Sequence, residues 1–264
     1  MEYGLKTRED NYEEEANNLI ANMQIHLSSE VHVLAIGSGN GSADEYFINA
    51  LVAKYSKVRY CVVDPAKEPL EKFKVLVQSH ESKWDNVSFE FHAQEINDYL
   101  KDRNTVERYH LIHICNAVNC FRDGRKVVSE LCNDRLYDKG IILIRVIGGG
   151  WEKCRRNFRR YLYDPNKNLL GATMVEEFLR HESKLAVVKN IKRYVPITAT
   201  KCFDETSDDG NKLLDFFHQK LDFRKSVPKD EIITLLSFLK DKCCEVVGDE
   251  VIFDATECDI IGSK

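Results

Sequence analysis

Three absences narrow the classes of protein to which this sequence can belong. The most apolar stretch, residues 140–150, contains Arg145 and is too short to cross a membrane. The first residues have no apolar core of the signal-peptide kind. We therefore expect a cytoplasmic protein that has no membrane partner.

An excess of basic charge is also missing. The 264 residues carry 38 basic and 43 acidic side chains, a formal net charge of −5. General nucleic-acid binders have an excess of basic residues, so we expect small molecules rather than nucleic acids as partners. We also expect the protein to be a monomer. A hydrophobic content of 43% is sufficient for one large domain or a core with an insertion.

Paired metal-ligand motifs are the third absence. The nine cysteines include no C-x-x-C pair, which favours reduced, buried thiols. His110 and His113 lie three residues apart on a predicted strand and would point to opposite faces, so they would not chelate one ion. We expect no metal site.

Apolar periodicity predicts an alternation of strands and helices. Strands are predicted at 31–37, 58–63, 87–91, 109–115, 140–147, 185–197 and 251–261, and helices at 10–27, 42–55, 65–80, 95–101, 124–136, 151–162, 174–181, 210–220 and 229–243. Five early strands joined by crossover helices require a largely parallel sheet that is covered on both faces. Excursions after strands five and six interrupt this order. We predict a ligand-binding core at 1–148, and at 149–264 a substrate region with the last two strands.

The stretch "LAIGSGNGS", residues 34–42, follows the first strand with Gly37, Gly39 and Gly41 at alternate positions. Glycines allow the backbone to approach a ligand closely. A Walker loop is excluded because no lysine follows Gly41, and a dinucleotide fingerprint is weakened because its third glycine is Ser42. The G-x-G-x-G pattern resembles the first motif of class I S-adenosylmethionine-dependent methyltransferases, and Ser38 lies within it.

Asp64 ends the second strand, where a carboxylate would accept hydrogen bonds from both ribose hydroxyls of an adenosine. Alternatively, Asp64 and Pro65 only cap the next helix. At the same edge of the sheet, Gln94, Glu95 and Ile96 would lie along the adenine. Cys115 and Asn116 would lie near the methionine end of the donor, with Asn119 and Cys120 facing the transferable methyl. Cys115 can instead be a core residue, and Asn116 can cap a turn.

Several blocks together resemble the histamine N-methyltransferase family, among them "HVLAIGSGNG", "VVDP", "LIHICNAVNCF", "VIGGGWEK" and "VIFDATECDII". The resemblance implies a Rossmann-like α/β fold with a seven-stranded, mostly parallel sheet and a smaller substrate region. It implies methyl transfer from S-adenosylmethionine to a nitrogen of a small amine or heterocycle, leaving S-adenosylhomocysteine. Trp151, with Phe203 second, would form an aromatic wall that positions the substrate together with Asn119, and no residue acts as acid or base.

Departures from the family concentrate on the substrate side. Leu5 falls near the position of a substrate-binding carboxylate, and the chain begins too late to contain that family segment by direct alignment. Asn119 and Cys120 replace a tyrosine pair, Arg155 replaces a tryptophan, and Ala255 replaces an asparagine. On the cofactor side, Pro69 replaces a polar residue. Ala35 stands where most class I enzymes have an acid, and the histamine enzymes also have a small residue there.

These departures leave several functions open. Arg155 would suit a carboxylated or amino-acid acceptor. The chain can also be a non-catalytic relative that binds the cofactor, or an enzyme for a hydroxyl acceptor. A metal-assisted route of the catechol type lacks an acidic residue between Tyr109 and Asp123. An NAD-dependent oxidoreductase is disfavoured by the G-x-G-x-G pattern, and the sequence has no obvious catalytic Tyr-x-x-x-Lys.

Overall fold

A computed structural model describes residues 2–27, 29–102, 107–158, 170–218 and 220–264. Its strands are β1 (Val31–Ile36), β2 (Val58–Val63), β3 (Val87–His92), β4 (Tyr109–Cys115), β5 (Leu136–Ile147), β6 (Val187–Arg193), β7 (Pro196–Thr198), β8 (Cys244–Val247), β9 (Glu250–Asp254) and β10 (Glu257–Ser263). Its α-helices are α1 (Glu2–Ala21), α2 (Asp44–Lys54), α3 (Lys67–Ser79), α4 (Ile96–Lys101), α5 (Gly124–Glu130), α6 (Gly149–Asn157), α7 (Ala172–His181), α8 (Asp208–His218), α9 (Phe223–Ser226) and α10 (Lys229–Phe238).

The main sheet has seven strands in the order β3-β2-β1-β4-β5-β10-β6. The pairs β1–β2, β1–β4, β2–β3 and β4–β5 are all parallel. This arrangement confirms the predicted α/β fold of the class I methyltransferase type. Parallel strands buried on both faces consist of near-continuous apolar residues, as in "VHVLAI" of β1.

A second sheet of three strands, β7-β9-β8, was not predicted. The predicted strands at 185–197 and 251–261 are each divided between the two sheets. Between β9 and β10 the backbone N–H of Thr256 donates to Asp254 Oδ1 over 3.0 Å. A hydrogen bond of this kind takes the place of a hydrogen bond between neighbouring strands and forms a turn between β9 and β10. The apolar pattern continues through this turn, which is why it predicted one strand.

Most predicted helices lie within a few residues of their observed bounds, but α1 spans Glu2–Ala21 rather than residues 10–27. Beyond its end the Asn22 side-chain amide donates to the carbonyl of Asn18 over 2.7 Å. Asparagine competes in this way with the helical backbone bonds. The predicted helices at 151–162 and 210–220 extend partly outside the described residues. Within the described residues, no helix is long and apolar enough to span a membrane.

The chain folds into two compact units. Unit 1 comprises Met1–Arg145, Val175–Asn190 and Asp259–Lys264, and unit 2 comprises Val146–Met174 and Ile191–Cys258. The functional division predicted at 1–148 and 149–264 stays a prediction.

Each unit has its own apolar core. In unit 1, Ala16 and Ile20 of α1, Phe47 and Leu51 of α2, and Val33 of β1 belong to one buried cluster. In unit 2, a separate cluster is rich in aromatic rings and includes Trp151, Phe217, Phe223 and Phe253. Six of the nine cysteines are buried, whereas Cys120 is exposed.

Candidate functional site

The glycine turn after β1 has the backbone that the G-x-G-x-G pattern predicts. Gly37, Gly39 and Gly41 have φ values of +70°, +56° and +81°. A β-carbon at Gly37 would lie 2.2 Å from Ala117 Cβ, and one at Gly41 would lie 2.3 Å from the Phe73 ring. Glycine is therefore required at both positions by dihedral angle and by space.

Gly39 differs from its two neighbours. A β-carbon there would meet no atom of the described chain within 4 Å, although φ is positive. The backbone at this position therefore faces open space, which leaves room for a ligand against bare peptide groups. This cradle fits a nucleoside-bearing cofactor of the predicted kind.

Asp64 joins this turn to the end of β2. Its Oδ2 accepts a hydrogen bond from the Gly39 N–H over 2.8 Å, and its Oδ1 accepts one from the Ala66 N–H over 2.8 Å. The carboxylate is 6% exposed. The bond to Ala66 agrees with the local turn role, and the bond to Gly39 places the carboxylate beside the glycine turn. Carboxylate oxygens have further lone pairs for ribose hydroxyls.

A cavity of about 260 Å³ lies beside the glycine turn in unit 1. Four of the predicted cofactor residues line it, namely Gly37, Ser38, Cys115 and Asn116. Its lining also includes Tyr12, Asp44, His113 and Arg145, which the sequence pattern did not single out as site residues. The volume is below the usual range for a complete ligand pocket, so this cavity suits one part of a ligand.

The predicted adenine-side residues lie between β3 and the first turn of α4. The Glu95 carboxylate pairs with the Arg122 guanidinium, with Oε2 and Nε 3.1 Å apart. The Ile96 side chain is 3% exposed, and the Gln94 N–H donates to the His92 carbonyl. Pro65 is exposed at the end of β2. Pro69 occupies the first turn of α3, where proline is tolerated.

Three predicted residues follow β4. Asn116 has a φ of +57°, and its backbone N–H donates to the Arg145 carbonyl over 2.9 Å. Asn119 lies in a short 3₁₀ helix, Val118–Cys120. Its Oδ1 is buried and meets no hydrogen-bond donor in the part of the chain that the structure describes. This oxygen can therefore accept a hydrogen bond from an N–H group of a ligand.

Asp44 is the first site residue that the sequence pattern did not reveal. Its side chain is buried, and Oδ1 accepts hydrogen bonds from Tyr60 Oη over 2.9 Å and from Ser38 Oγ over 3.0 Å. His113 Nε2 lies 2.7 Å from Tyr60 Oη. Burial raises the pKa of Asp44 to about 7 and lowers the pKa of His113 to about 3, the latter with help from the charge of Arg145. An aspartate three residues after the last glycine of the motif was the available signal.

Arg145 is the second such residue. Its guanidinium forms two hydrogen bonds of 2.8 Å to the Asp259 carboxylate and lies 3.3 Å from Glu15 Oε2. The Tyr12 ring stacks on it, with the guanidinium carbon 4.0 Å from the ring centroid. An arginine within an apolar strand, matched by an aspartate in another apolar strand, was the signal in the sequence. Buried charges are seldom tolerated without such a partner.

Comparisons with known proteins fit this geometry. No family model matches the chain. Histamine N-methyltransferase from Danio rerio is 26% identical over 243 residues, covering 86% of this chain and 79% of that protein. The enzyme of the same name from Cavia porcellus is 24% identical over 210 residues, covering 76% and 70%. This chain is similar to the histamine N-methyltransferases over most of its length. The resemblance inferred from the sequence is confirmed.

Solved structures share the fold of this chain. An arsenic(III) S-adenosylmethionine methyltransferase from Chlamydomonas reinhardtii has a TM-score of 0.52 and 15% identity, covering 94% of this chain and 73% of that one. The DszA carbon methyltransferase also has a TM-score of 0.52, with 13% identity, covering 97% and 54%. Identities this low establish the common fold and nothing about the methyl acceptor.

The remaining predicted substrate residues lie in unit 2. The Trp151 side chain is 7% exposed and makes edge contacts with Phe216, Phe217 and Phe253 at centroid distances of 5.2–5.5 Å. The Arg155 guanidinium lies over its ring at 5.3 Å. Phe203 ends a 3₁₀ helix and packs partly buried against the same core, and Ala255 is buried in it. Trp151 as an aromatic wall stays a prediction, because its ring already has these partners.

Candidate metal clusters were searched for among the described residues. No group of three or more His, Cys, Asp or Glu side chains that could hold an ion occurs there.

Proposed function

We propose that this protein transfers the methyl group of S-adenosylmethionine to a nitrogen of a small amine or heterocycle. The observation that carries the proposal is the glycine turn, in which the Gly39 N–H donates a hydrogen bond to the Asp64 carboxylate. Bare backbone beside a buried carboxylate suits an adenosine with two free ribose hydroxyls. The 24–26% identity to the histamine N-methyltransferases supports the same chemistry.

The residues that would hold the donor divide into two groups. Asp64 would bind the ribose, and Gln94, Glu95 and Ile96 would lie along the adenine. Gly37 and Ser38, which follow β1, line the cavity together with Cys115 and Asn116 at the end of β4. When bound, the donor supplies an electrophilic methyl on a sulfonium.

The acceptor would be positioned rather than activated by acid–base chemistry. In-line displacement gains its rate from orientation and from exclusion of water. Asn119 Oδ1 would accept a hydrogen bond from an acceptor N–H and so orient the acceptor. Cys120, Trp151, Arg155 and Phe203 stay predicted substrate residues. The predicted substrate residues differ from the family pattern at Asn119, Cys120 and Arg155.

Two measurements on the purified chain test this function. Calorimetric titration with S-adenosylhomocysteine should show one site, and a screen of histamine, other amines and heterocycles with labelled S-adenosylmethionine should yield a methylated nitrogen. Cofactor binding without turnover on any acceptor would support a non-catalytic, cofactor-binding role. Absence of cofactor binding would reject both functions.

The range of acceptors in the screen also tests for a carboxylated or a hydroxyl substrate. Methylation of carboxylated or amino-acid heterocycles in preference to histamine would assign Arg155 to substrate recognition. An Arg155→Lys variant is the matched control, because it keeps the charge but loses the planar fork. Methylation of hydroxyls that is abolished by a chelator would instead indicate the metal-assisted route.

A further inference from the structure

Asp44 holds an unusual position in the cavity beside the glycine turn. Its side chain is 1% exposed, and it lines a space of about 260 Å³ together with Ser38, His113 and Arg145. Both hydrogen bonds from other side chains, those from Ser38 and Tyr60, end on Oδ1. Oδ2 therefore receives no side-chain hydrogen bond from the described part of the chain. This oxygen can accept a hydrogen bond from a ligand in the cavity that Asp44 lines.

The charges around the cavity favour a cation there. Arg145 is the positive group of the lining, and its charge faces two carboxylates, Asp259 and Glu15. His113 is neutral because burial and the charge of Arg145 lower its pKa to about 3. Asp64, the other carboxylate near Asp44, also adds negative potential. With Asp44 ionised, this part of unit 1 carries more negative than positive charge.

Ser38 connects this carboxylate to the glycine turn. Its hydroxyl donates to Asp44 Oδ1 over 3.0 Å, so the same side chain that faces the cavity also holds the turn. A cationic group bound at Oδ2 would therefore be fixed with respect to Gly37 and Gly39. Among the parts of the proposed donor and its product, the α-ammonium group is the cation that has N–H bonds to give.

We infer that Asp44 binds the α-ammonium group of the methyl donor and of its product by accepting a hydrogen bond through Oδ2. This inference rests on the proposed function and assigns a residue to the amino-acid end of its cofactor. The bond is charge-assisted on both sides, and such bonds are about twice as strong as neutral ones.

Three ligands separate the ammonium from the rest of the molecule. S-adenosylhomocysteine has both charged groups, its decarboxylated analogue keeps the ammonium, and its deaminated analogue keeps the carboxylate. Calorimetry at pH 8 with the full chain should show that Asp44→Asn weakens the first two by about 10- to 100-fold. Binding of the deaminated analogue should change less than threefold. Asp85→Asn, at an exposed carboxylate of the same unit, is the matched control and should change none of the three.

The outcomes distinguish this inference from the proposed function. If the unmodified chain binds none of the ligands, the proposed function is wrong and the inference falls with it. If it binds S-adenosylhomocysteine but Asp44→Asn weakens all three ligands equally, or none, the function stands and the inference is wrong. Equal weakening would mean that Asp44 only positions Ser38.

A second measurement on the unmodified chain does not depend on the folding of the variant. Burial raises the pKa of Asp44 to about 7, and the groups that face it are Ser38, Tyr60, His113 and Asp64. The preference for S-adenosylhomocysteine over its deaminated analogue should therefore increase severalfold from pH 6 to pH 8. A preference that does not change with pH would overturn the inference.

Discussion

The two units differ in the kind of side chain that they bury. In unit 1, buried charges and a glycine turn with positive φ angles border a cavity, and several polar residues line it. In unit 2, the corresponding cluster is made of aromatic rings that contact one another, with Trp151 touching three phenylalanines and Arg155. Buried charged groups, as in unit 1, often add little to the free energy of unfolding, so their presence indicates ligand binding. Aromatic rings that pack against one another, as in unit 2, are sufficiently explained by their contribution to that free energy. The following predictions test that contrast.

The largest expected effect concerns Arg145. Arg145→Met leaves the buried Asp259 carboxylate without its main partner, and should reduce the free energy of unfolding by about 4 kcal/mol. The double variant Arg145→Met, Asp259→Leu replaces the pair by apolar groups and should lie within about 1 kcal/mol of the parent protein. Urea unfolding measures both. A double variant as unstable as the single one would show that the pair holds unit 1 together.

Trp151 provides the counterpart in unit 2. Trp151→Ala removes a ring that contacts Phe216, Phe217 and Phe253, and should reduce stability by about 3 kcal/mol through the cavity it creates. Trp151→Phe should cost less than half of this. The same variants should leave the affinity for S-adenosylhomocysteine unchanged. If Trp151→Phe instead raises KM for the acceptor at normal stability, Trp151 is the substrate wall that the sequence predicts.

Asp64 should show the reverse pattern, with binding affected more than stability. Asp64→Asn keeps the shape but weakens the acceptor of the Gly39 N–H and of the ribose hydroxyls, so affinity for S-adenosylhomocysteine should fall about 30-fold. Calorimetry measures the affinity, and thermal unfolding checks the fold. Unchanged affinity would limit Asp64 to the turn at Ala66.

The smallest effect is a pH dependence of stability. The pKa of Asp44 is raised to about 7 in the folded state, so its contribution to stability is lost as pH rises through that value. Between pH 6 and pH 8 this loss amounts to roughly 1 kcal/mol. Asp44→Asn should remove it, as urea unfolding at both pH values will show. The comparison of the two proteins cancels His113 and His218, whose lowered pKa values act in the opposite direction. A difference that does not vary with pH would contradict this assignment.

The sequence predicted the parts of this protein that depend on local pattern. Apolar runs identified the parallel strands, and the alternating glycines identified the turn, because positive φ leaves few alternatives to glycine. Arg145 and Asp259 each stand out as a charge within an apolar strand, but their pairing was not predictable, since 114 residues separate them. Asp44 was missed for another reason: an aspartate near the start of a helix is ordinarily explained as a solvated residue of the first turn. Its burial becomes visible only when Tyr60 and His113 are placed beside it.

The position of β10 has a consequence for the order in which the chain folds during synthesis. The strands β1 to β5 are contiguous neighbours in the sheet and are complete once Ile147 has been made. β6 cannot join them directly, because its place is beside β10, which begins at Glu257. During synthesis on the ribosome, the part of the sheet that carries the glycine turn can form early. The strand β6 stays without its partner strand until β10 has been made. The glycine turn can therefore be in place before the strand order is complete.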